Sequence, residues 1–420
     1  MKRRIAEEVT GRLWGGALMI TKVQVKNYRS LGHVSLKMGP LVILVGRNGA
    51  GKSTFLDVLR FVRDGLRPGL ENAVLDRHGF SSLRRWAPRK PYDVEITISV
   101  EESVDESPEQ QAFWGKYSFV LASEPDGAYR VKRESCSVGH KIHRFFKIED
   151  AFETKDGNWV TLPEGVVERG RKQPSLQATE LALPGVAVFS PLYAQLRRSL
   201  QGSFYSIFPN TLREPQKPST EKILTDHGDN FASVVRRLER EKHWFPDLLG
   251  ALRRVVEGVS DLHVKEVGGY LVTELKHDDL FSENIATDNS PWFELAQESD
   301  GTIRLLAMLV ALYQRAPRTL IGLEEPENAL HPGALAVLSD VLREATRRHQ
   351  ILVTTQSPDL ISRFKADELR VVERSRGVTK IGRIDEMQRE TIEEQLFSAG
   401  DLLRIEGLRR ESVLVGNRNA

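Results

Sequence analysis

Apolar and polar residues alternate over residues 19–28, which predicts a half-buried strand. A turn at residues 30–32 leads into a second predicted strand around residues 33–36. Residues 41–45 form a continuous apolar run, as in a strand that is buried on both faces. After a glycine-rich stretch, apolar residues recur at helical spacing from Phe55 to Leu66. The N-terminal pattern therefore predicts a strand, a loop and a helix in that order.

The middle of the chain has a different pattern. Residues 94–147 predict short strands that are separated by turns such as Glu124-Pro125-Asp126-Gly127. Residues 149–184 show little periodicity and predict a loop-rich segment. We therefore expect an inserted, strand-rich region after the first helix.

Helical spacing returns from Tyr193 onward. Residues 230–256 predict a helix that breaks at Pro246, and strands are predicted around Gly268-Gly269. An apolar helix is predicted over residues 303–312, and the short apolar runs at 320–323 and 351–354 predict buried strands. The C-terminal half thus predicts a helical lobe that is followed by alternating buried strands and helices.

These patterns divide the chain into six segments. For the first we expect a disordered extension, or a translation start at Met19, because its pattern matches neither a helix nor a strand. The segments are the extension (1–18), the first part of the core (19–90), the strand-rich insertion (91–185), the helical lobe with return strands (186–290), the second part of the core (291–385) and a helical tail (386–420).

Composition narrows the class of protein. The chain has 420 residues, of which 40% are hydrophobic and 28% are charged, as in a globular protein. No apolar run approaches the roughly 18 residues that would span a membrane. The one cysteine, Cys136, excludes an internal disulfide, so we expect a cytoplasmic location. The net charge of +2 is too small to indicate a partner, so nucleic-acid binding would need a local basic patch.

Residues 46–53 read Gly-Arg-Asn-Gly-Ala-Gly-Lys-Ser, which fits the phosphate-loop pattern G-x-x-x-x-G-K-[ST] without a mismatch. Glycines let backbone N–H groups converge on phosphate oxygens, and the helix that follows adds its N-terminal dipole. Lys52 would reach the β- and γ-phosphates, and the Ser53 hydroxyl would bind Mg²⁺. With its flanking strand and helix, the loop predicts an ATP site, and the predicted ligands are Gly46, Arg47, Asn48, Gly49, Ala50, Gly51, Lys52, Ser53 and Thr54.

Two acids, Glu324 and Glu325, end the apolar run at residues 320–323. At a strand end one carboxylate can hold Mg²⁺ through water, while its neighbour orients or deprotonates the attacking water. We assign Glu324 to the metal side and Glu325 to catalysis. A charged strand-to-loop transition would give the same pattern, but the upstream phosphate loop favours the functional interpretation.

Four segments in this order, the phosphate loop, Ser299-Asp300-Gly301-Thr302, residues 323–332 and residues 354–358, resemble the motifs of ABC-type ATPases of the RecF/SMC group. More narrowly, the chain resembles stand-alone ATPases related to the ATPase half of OLD-family nucleases. Residues 27–31 (Asn-Tyr-Arg-Ser-Leu) and 228–232 (Gly-Asp-Asn-Phe-Ala) resemble further segments of that group. The resemblance implies a mixed α/β fold of the P-loop NTPase, ABC-ATPase head type, with a mixed sheet core, an antiparallel β subdomain and a helical lobe.

The resemblance also implies roles that spacing alone does not give. Ser299, Asp300 and Gly301 would form the signature motif that contacts the γ-phosphate bound by a second copy. ATP would then lie between two heads of an ATP-dependent homodimer, and residues 328–331 would cross the interface. From the residues themselves, Ser299 is equally a helix N-cap before the apolar helix.

Two residues depart from the group's pattern. Glu324 stands where ABC proteins usually have Asp, and Gln356 stands where many relatives have a His that senses the γ-phosphate. A glutamine amide can donate hydrogen bonds but cannot carry a proton. Gln356 is therefore assigned to catalysis with an expectation of slow hydrolysis or of a switch driven mainly by binding.

Basic residues cluster at residues 84–90 and again between Arg130 and Lys147, where Phe145 and Phe146 are interleaved with them. This composition suits contact with the phosphates and bases of DNA. It is equally typical of solvated strand faces. His140 and His143 are interpreted as surface residues and not as metal ligands.

Three functions are compatible with these features. The first is an ATP-driven dimer switch that acts on double-stranded DNA in repair or anti-phage defence. The second is an ATP-dependent regulator of a separate effector protein, without a direct role on DNA. The third, an OLD-like nuclease, is disfavoured because only residues 359–420 follow the last motif and Asp385, Glu386 and Glu390 have the pattern of helix-surface acids. A transporter role is disfavoured by the absence of a predicted membrane span.

Overall fold

The computed structural model describes residues 18–86, 91–102, 112–142, 145–164, 176–278, 291–314 and 320–411. The predicted N-terminal extension lies outside these ranges except for Leu18, which begins the first strand. The strands are β1 (Leu18–Tyr28), β2 (Leu31–Lys37), β3 (Leu41–Val45), β4 (Val94–Glu102), β5 (Ala112–Ser123), β6 (Tyr129–Ile142), β7 (Phe145–Lys155), β8 (Asn158–Thr161), β9 (Ser203–Tyr205), β10 (Val259–Val267), β11 (Tyr270–His277), β12 (Trp292–Glu294), β13 (Leu320–Glu324), β14 (Gln350–Thr355), β15 (Leu369–Ser375) and β16 (Val378–Gly382).

The helices are short to medium in length. They are α1 (Lys52–Leu66), α2 (Leu70–Leu75), α3 (Phe80–Leu83), α4 (Leu183–Val186), α5 (Pro191–Ser199), α6 (Pro209–Arg213), α7 (Phe231–Glu241), α8 (Phe245–Arg253), α9 (Asp300–Tyr313), α10 (Pro332–Ala345), α11 (Pro358–Ile361), α12 (Glu386–Glu393) and α13 (Ala399–Ile405). Within the described ranges, no helix combines the length and the apolar character needed to cross a membrane.

The chain divides into two compact units. The first comprises Met1–Pro40, Thr54–Gly202 and Arg374–Ile381. Its strands follow the order β8-β7-β6-β5-β4-β1-β2-β16, and neighbours are antiparallel except for β2 and β16. The apolar face of α1 is buried in this unit, and Phe61 lies 5.7 Å from Tyr28 and 6.4 Å from Phe119 between ring centroids. These aromatic contacts attach the helix to the sheet.

A charged network reinforces that attachment. Asp57 of α1 accepts hydrogen bonds from the Tyr28 hydroxyl at 2.7 Å and from Arg77 Nε at 2.9 Å. Arg29 Nη1 lies 3.1 Å from the same carboxylate. Asn27 and Arg29 adopt left-handed backbone conformations, with φ of 58° and 47°. The segment at residues 27–29 therefore ends β1 in a strained turn that is held by charge pairing with α1.

A buried carboxyl lies elsewhere in the first unit. Glu134 of β6 is 1% exposed and accepts hydrogen bonds from the Tyr117 hydroxyl at 2.8 Å and from the backbone N–H groups of Ala182 at 2.5 Å and Leu183 at 3.0 Å. Burial raises the pKa of Glu134 to about 7, although the three donors oppose the shift. These bonds attach the start of α4 to the sheet.

The second unit comprises Leu41–Ser53, Ser203–Glu373 and Gly382–Ala420. Its main strands follow the order β15-β3-β14-β13-β9 and are parallel. A separate antiparallel sheet has the order β10-β11-β12. Helix α9 is buried at nearly every position from Ile303 to Tyr313 and belongs to the apolar core cluster of the unit. Parallel strands joined by helices give this unit the α/β architecture of a nucleotide-binding core.

The predicted strands at residues 19–28, 33–36, 41–45, 320–323 and 351–354 and the helix at 303–312 are confirmed within a few residues. One expectation is wrong, and another is displaced by a few residues. The strands of the insertion are long, with 14 residues in β6, and β7 and β8 occupy part of the segment that was predicted to be loop. The helical region at 230–256 breaks at residues 242–244, where Lys242 has a φ of 56°, and Pro246 lies in the first turn of α8. Proline is tolerated there because first-turn N–H groups have no partner within the helix.

Candidate nucleotide-binding site

Three parallel strands of the second unit end side by side. Thr355 of β14 pairs with Val45 of β3, and Thr354 pairs with Glu324 of β13. The residues that follow each strand therefore meet at one edge of the sheet. This edge brings together the phosphate loop after β3, the acids at the end of β13 and residues 356–358 after β14, which we call the switch segment. In α/β sheets, ligands bind at the carboxyl ends of the strands.

The phosphate loop depends on its glycines. Gly49 and Gly51 have φ of 74° and 108°, which a side chain would strain. A Cβ atom on Gly46 would lie 2.3 Å from the carbonyl oxygen of Val372, so the loop approaches its neighbour too closely for any side chain. The loop turns between Arg47 and Ala50, whose N–H donates to the Arg47 carbonyl at 3.1 Å. The glycines of the phosphate-loop pattern therefore stand at positions where the backbone requires glycine.

Lys52 begins helix α1 and lies at the centre of the site. Its side chain is 4% exposed, and Nζ donates to the carbonyl oxygens of Gly46 at 2.7 Å and Arg47 at 3.3 Å. Nζ also lies 3.7 Å from Glu325 Oε1. Burial lowers the pKa of Lys52, and the charges of Glu325 and Glu327 oppose that shift. Ser53, the next residue, is exposed in the first turn of the helix.

Glu325 has an unusual backbone. Its φ is 41°, and its N–H donates to the Thr354 carbonyl at 2.9 Å. Its Oε2 accepts a hydrogen bond from Asn328 Nδ2 at 3.1 Å. Non-glycine residues with positive φ are found where the surrounding structure holds them, often at functional sites. Glu325 is thus held with one carboxylate oxygen toward Lys52 and the other toward Asn328, while Glu324 ends strand β13.

The switch segment is organised by a third acid. Glu327 Oε1 accepts hydrogen bonds from Thr355 Oγ1 at 2.5 Å and from the Gln356 N–H at 3.3 Å. Burial raises the pKa of Glu327, and these donors oppose the shift. Ser357 caps α11, since its Oγ accepts from the Leu360 N–H at 3.2 Å.

The predicted signature segment begins helix α9. Ser299 is the N-cap, and its Oγ accepts from the Thr302 N–H at 3.1 Å. Asp300 Oδ1 lies 2.6 Å from Arg213 Nη2. A Cβ atom on Gly301 would lie 2.5 Å from the Ala329 carbonyl oxygen, so this helix start packs directly against the segment that follows Glu325. The structure therefore links the signature segment with the segment after β13.

The residues present fit a nucleotide with its magnesium ion. An ammonium group, a glycine-rich turn and a helix N-terminus are donors for a polyphosphate. The Ser53 hydroxyl and the Glu324 carboxylate are oxygen ligands of the kind that Mg²⁺ prefers. Arg47, Asn48 and Gly49 are exposed at the turn, whereas Ala50 is buried and supports it. Thr54 follows Ser53 in α1.

Sequence reasoning missed two residues of this region. Glu327 could have been noticed as the third acid in the run Glu324-Glu325-Pro326-Glu327. Arg213 contacts Asp300 and the Glu298 carbonyl, the latter at 2.9 Å, but no local pattern marks it.

The second basic cluster is largely neutralised by acids. Lys132 pairs with Asp93 at 2.7 Å, Arg133 with Glu153 at 2.9 Å and Lys141 with Glu101 at 2.8 Å. Arg130 pairs with Glu124 and Asp156, and His140 Nδ1 lies 2.9 Å from Glu149. Phe146 is 51% exposed and lies beneath the Lys141 ammonium. His143, Arg144, Arg89 and Lys90 lie outside the described residues, and Trp86 of the first cluster is 78% exposed.

Comparison with known proteins identifies the class. Residues 19–111 match the family described as "AAA ATPase domain", and residues 168–362 match "AAA domain, putative AbiEii toxin, Type IV TA system". An SMC head bound to the C-winged helix domain of ScpA has a similar fold, with a TM-score of 0.52 at 15% identity over 89% of this chain and 100% of that chain. The chain is therefore an ATPase whose fold is that of an ABC-type, SMC-like head.

A relative narrows this class. The OLD nuclease of Thermus scotoductus is 24% identical over 383 residues, which are 85% of this chain and 62% of the nuclease. The chain thus spans less than two thirds of that nuclease's length. These matches support an ABC/SMC-like ATPase related to OLD, as the motif order in its sequence predicts.

Proposed function

We propose that this chain is an ATP-driven dimer switch. Two copies would bind ATP between the phosphate loop of one copy and Ser299–Gly301 of the other. The observation that carries the proposal is the meeting of Lys52 and Glu325 at 3.7 Å, which joins the phosphate-binding loop to a carboxylate suited to water activation. The packing of Gly301 against the Ala329 carbonyl supports coupling between the signature segment and the catalytic turn.

The residues of the site divide the chemistry of hydrolysis among themselves. Lys52 offsets the negative charge of the phosphates, and Glu325 orients a water molecule and takes its proton as that water attacks the γ-phosphorus. The bond between the γ-phosphorus and its bridging oxygen then breaks to give ADP and phosphate. Ser53 and Glu324 would hold Mg²⁺, which neutralises charge on the phosphates when it is bound.

Slow turnover is part of the proposal. Gln356 lies directly after β14, where its N–H is held by Glu327. Its side-chain amide can donate a hydrogen bond to a phosphate oxygen but cannot supply a full positive charge. Hydrolysis would then be slower than ATP-driven dimerisation, and the dimer would be the long-lived state.

The test compares wild type with Glu325→Gln, with and without ATP. A glutamine keeps the size of the side chain and removes its proton-accepting charge. We expect the variant to bind ATP and to accumulate as a dimer in sedimentation experiments, with turnover reduced by about 100-fold or more. A variant that stays monomeric and hydrolyses ATP at the wild-type rate would contradict both the catalytic role of Glu325 and the binding of ATP between two copies.

We further propose that the switch acts on double-stranded DNA, in repair or anti-phage defence. The support is the likeness to an OLD nuclease and the exposed Trp86, which follows Arg84 and Arg85. An exposed aromatic side chain next to arginines suits contact with nucleic acid.

One observation favours a second function, the regulation of a separate effector protein. In the second basic cluster, carboxylates pair with basic side chains, as Asp93 does with Lys132. This pairing leaves less positive charge to contact the phosphates of DNA. The family description of residues 168–362 also names a toxin.

DNA-stimulated turnover distinguishes the two functions. If the switch acts on DNA, DNA should raise the ATP turnover of wild type at low salt. The double variant Arg85→Glu with Trp86→Ala should then show less stimulation by DNA. The matched control is Arg389→Glu on α12, where Arg389 already pairs with Glu386 and Glu393, each at 3.7 Å. ATP turnover that is unchanged by DNA at low salt would favour the regulation of a separate effector protein.

A further inference from the structure

Glu327 lies in the turn after β13, and the predicted motif assigns it no role. Its Oε1 accepts from Thr355 Oγ1 at 2.5 Å and from the Gln356 N–H at 3.3 Å. Thr355 Oγ1 in turn accepts from the Ser357 N–H at 3.0 Å. One carboxylate oxygen therefore organises three consecutive residues at the end of β14.

The same turn carries Glu325. The Asn328 N–H donates to the Glu325 carbonyl at 3.1 Å, and Asn328 Nδ2 donates to its carboxylate at 3.1 Å. The Glu325 N–H is attached to the Thr354 carbonyl at 2.9 Å. Glu325 and Glu327 thus connect the turn with the end of β14 at two successive points. A shift of one connection would move the other.

Packing alone does not explain a carboxylate at position 327. Its Oε2 is buried and has no hydrogen-bond partner within the structure described. A buried acceptor without a partner destabilises the folded chain relative to a paired one. The charge of Glu327 also acts on the ammonium of Lys52, which places the carboxylate in the electrostatic field of the phosphate site.

We propose that Glu327 is a positioning residue for ATP hydrolysis, which holds the backbone of Gln356 at a fixed position relative to Glu325. This inference rests on the proposed function, because it assigns Glu327 to the same ATP site. The side chain of Gln356 contributes through a hydrogen bond and not through charge, so its contribution depends on placement. The Thr355 hydroxyl is part of the same connection, because it donates to Glu327 and accepts from the Ser357 N–H.

The test uses Glu327→Leu, Glu327→Gln, Thr355→Val and the double variant Glu327→Leu with Thr355→Val in the full chain. We expect Glu327→Leu to lower kcat by about tenfold or more, since small misplacements of reacting groups have effects of this size. The Kd for a fluorescent ATP analogue should stay within about threefold, because the ligands of the phosphate loop are unchanged. Glu327→Gln retains an acceptor oxygen and should recover most of the turnover.

The double variant tests whether the two residues act through one bond. Removal of Thr355 Oγ1 and of the Glu327 carboxylate breaks the same connection, so the double variant should be no slower than Glu327→Leu alone. The matched control is Glu390→Leu, which replaces an exposed acid of α12 and should leave turnover unchanged.

Hydrogen exchange of the peptide that spans residues 354–362 gives a readout independent of turnover. In the absence of nucleotide, exchange should be faster in Glu327→Leu and in Thr355→Val but not in Glu327→Gln. If wild type fails to dimerise or to hydrolyse ATP, this measurement alone decides the inference. Unchanged exchange in Glu327→Leu would overturn it, as would additive effects in the double variant or a loss of ATP affinity equal to the loss of turnover.

Discussion

Glu134 makes the stability of this protein depend on pH in a direction opposite to that of a salt-bridged acid. Its carboxyl is buried against Tyr117 and the start of α4, and its pKa is raised from 4.5 to about 7 because burial disfavours the charged form. Between these values the folded chain binds more protons at this site than the unfolded chain. Its contribution to stability is therefore fully present below about pH 4.5 and is lost as the pH rises through about 7.

The size of the effect follows from the shift. One pKa unit corresponds to about 1.4 kcal/mol, so the rise from 4.5 to about 7 corresponds to about 3 kcal/mol. The substitution Glu134→Gln keeps an oxygen that can accept from the Ala182 N–H and removes the titration. The free energy of unfolding of the variant, relative to wild type, should therefore rise by about 2–3 kcal/mol between pH 5 and pH 8.

Urea unfolding at pH 5, 6, 7 and 8 measures this difference. The control is Glu95→Gln, since Glu95 is 36% exposed beside Lys26 and a surface ion pair contributes only about 0–1 kcal/mol. Parallel pH curves for wild type and Glu134→Gln would show that the carboxyl is not perturbed by burial, and the reasoning would be refuted.

Two further substitutions test packing and charge. Gly301→Ala should cost roughly 1–3 kcal/mol of stability and reduce turnover while ATP binding remains, because its Cβ would lie 2.5 Å from the Ala329 carbonyl. The control is Gly250→Ala in α8, where the added Cβ would meet nothing within 4 Å and should stabilise the protein by about 0.5–1 kcal/mol. Thermal unfolding measures the stability of both variants, and phosphate release measures their turnover. Asp57→Asn should destabilise by about 3 kcal/mol in urea unfolding, because Arg77 is 6% exposed and would lose a charged partner. A loss below about 1 kcal/mol would mean that Asp64 alone compensates Arg77.

The sequence predicts the core of the site because its signals are local. The phosphate loop lies between a five-residue apolar strand and a helix, and two of its glycines, Gly49 and Gly51, have positive φ. The acids at Glu324 and Glu325 follow an apolar run in the same way. Such segments carry both their pattern and their chemistry within about ten residues.

The features that the sequence does not predict depend on distant partners. Strand β7 contains Glu149, Asp150 and Glu153, and its pairing with β6 gives it a regular structure that its own periodicity does not indicate. Glu327 acquires its contacts from Thr355, 28 residues away, when β13 and β14 align.

The basic cluster shows the same limit. Its positive residues are close together in sequence, but the acids that pair with them lie elsewhere in the chain. Asp93, just before β4, pairs with Lys132, and Glu101 of β4 pairs with Lys141. Sequence reveals the charge of one strand, whereas the net charge of a surface depends on strand order. DNA binding therefore remains a proposal that the count of lysines and arginines cannot support by itself.

The central claim is that one site is built from two copies, and a mixing experiment tests it most directly. Lys52→Ala removes the phosphate-binding ammonium, whereas Ser299→Asp keeps an N-cap and adds a negative charge beside the expected γ-phosphate. Each variant alone should be inactive. In a mixed dimer the intact phosphate loop of one copy meets the intact signature segment of the other, so an equimolar mixture should recover up to about a quarter of wild-type turnover per chain. A mixture that stays inactive while both variants remain folded and form mixed dimers would contradict the composite site.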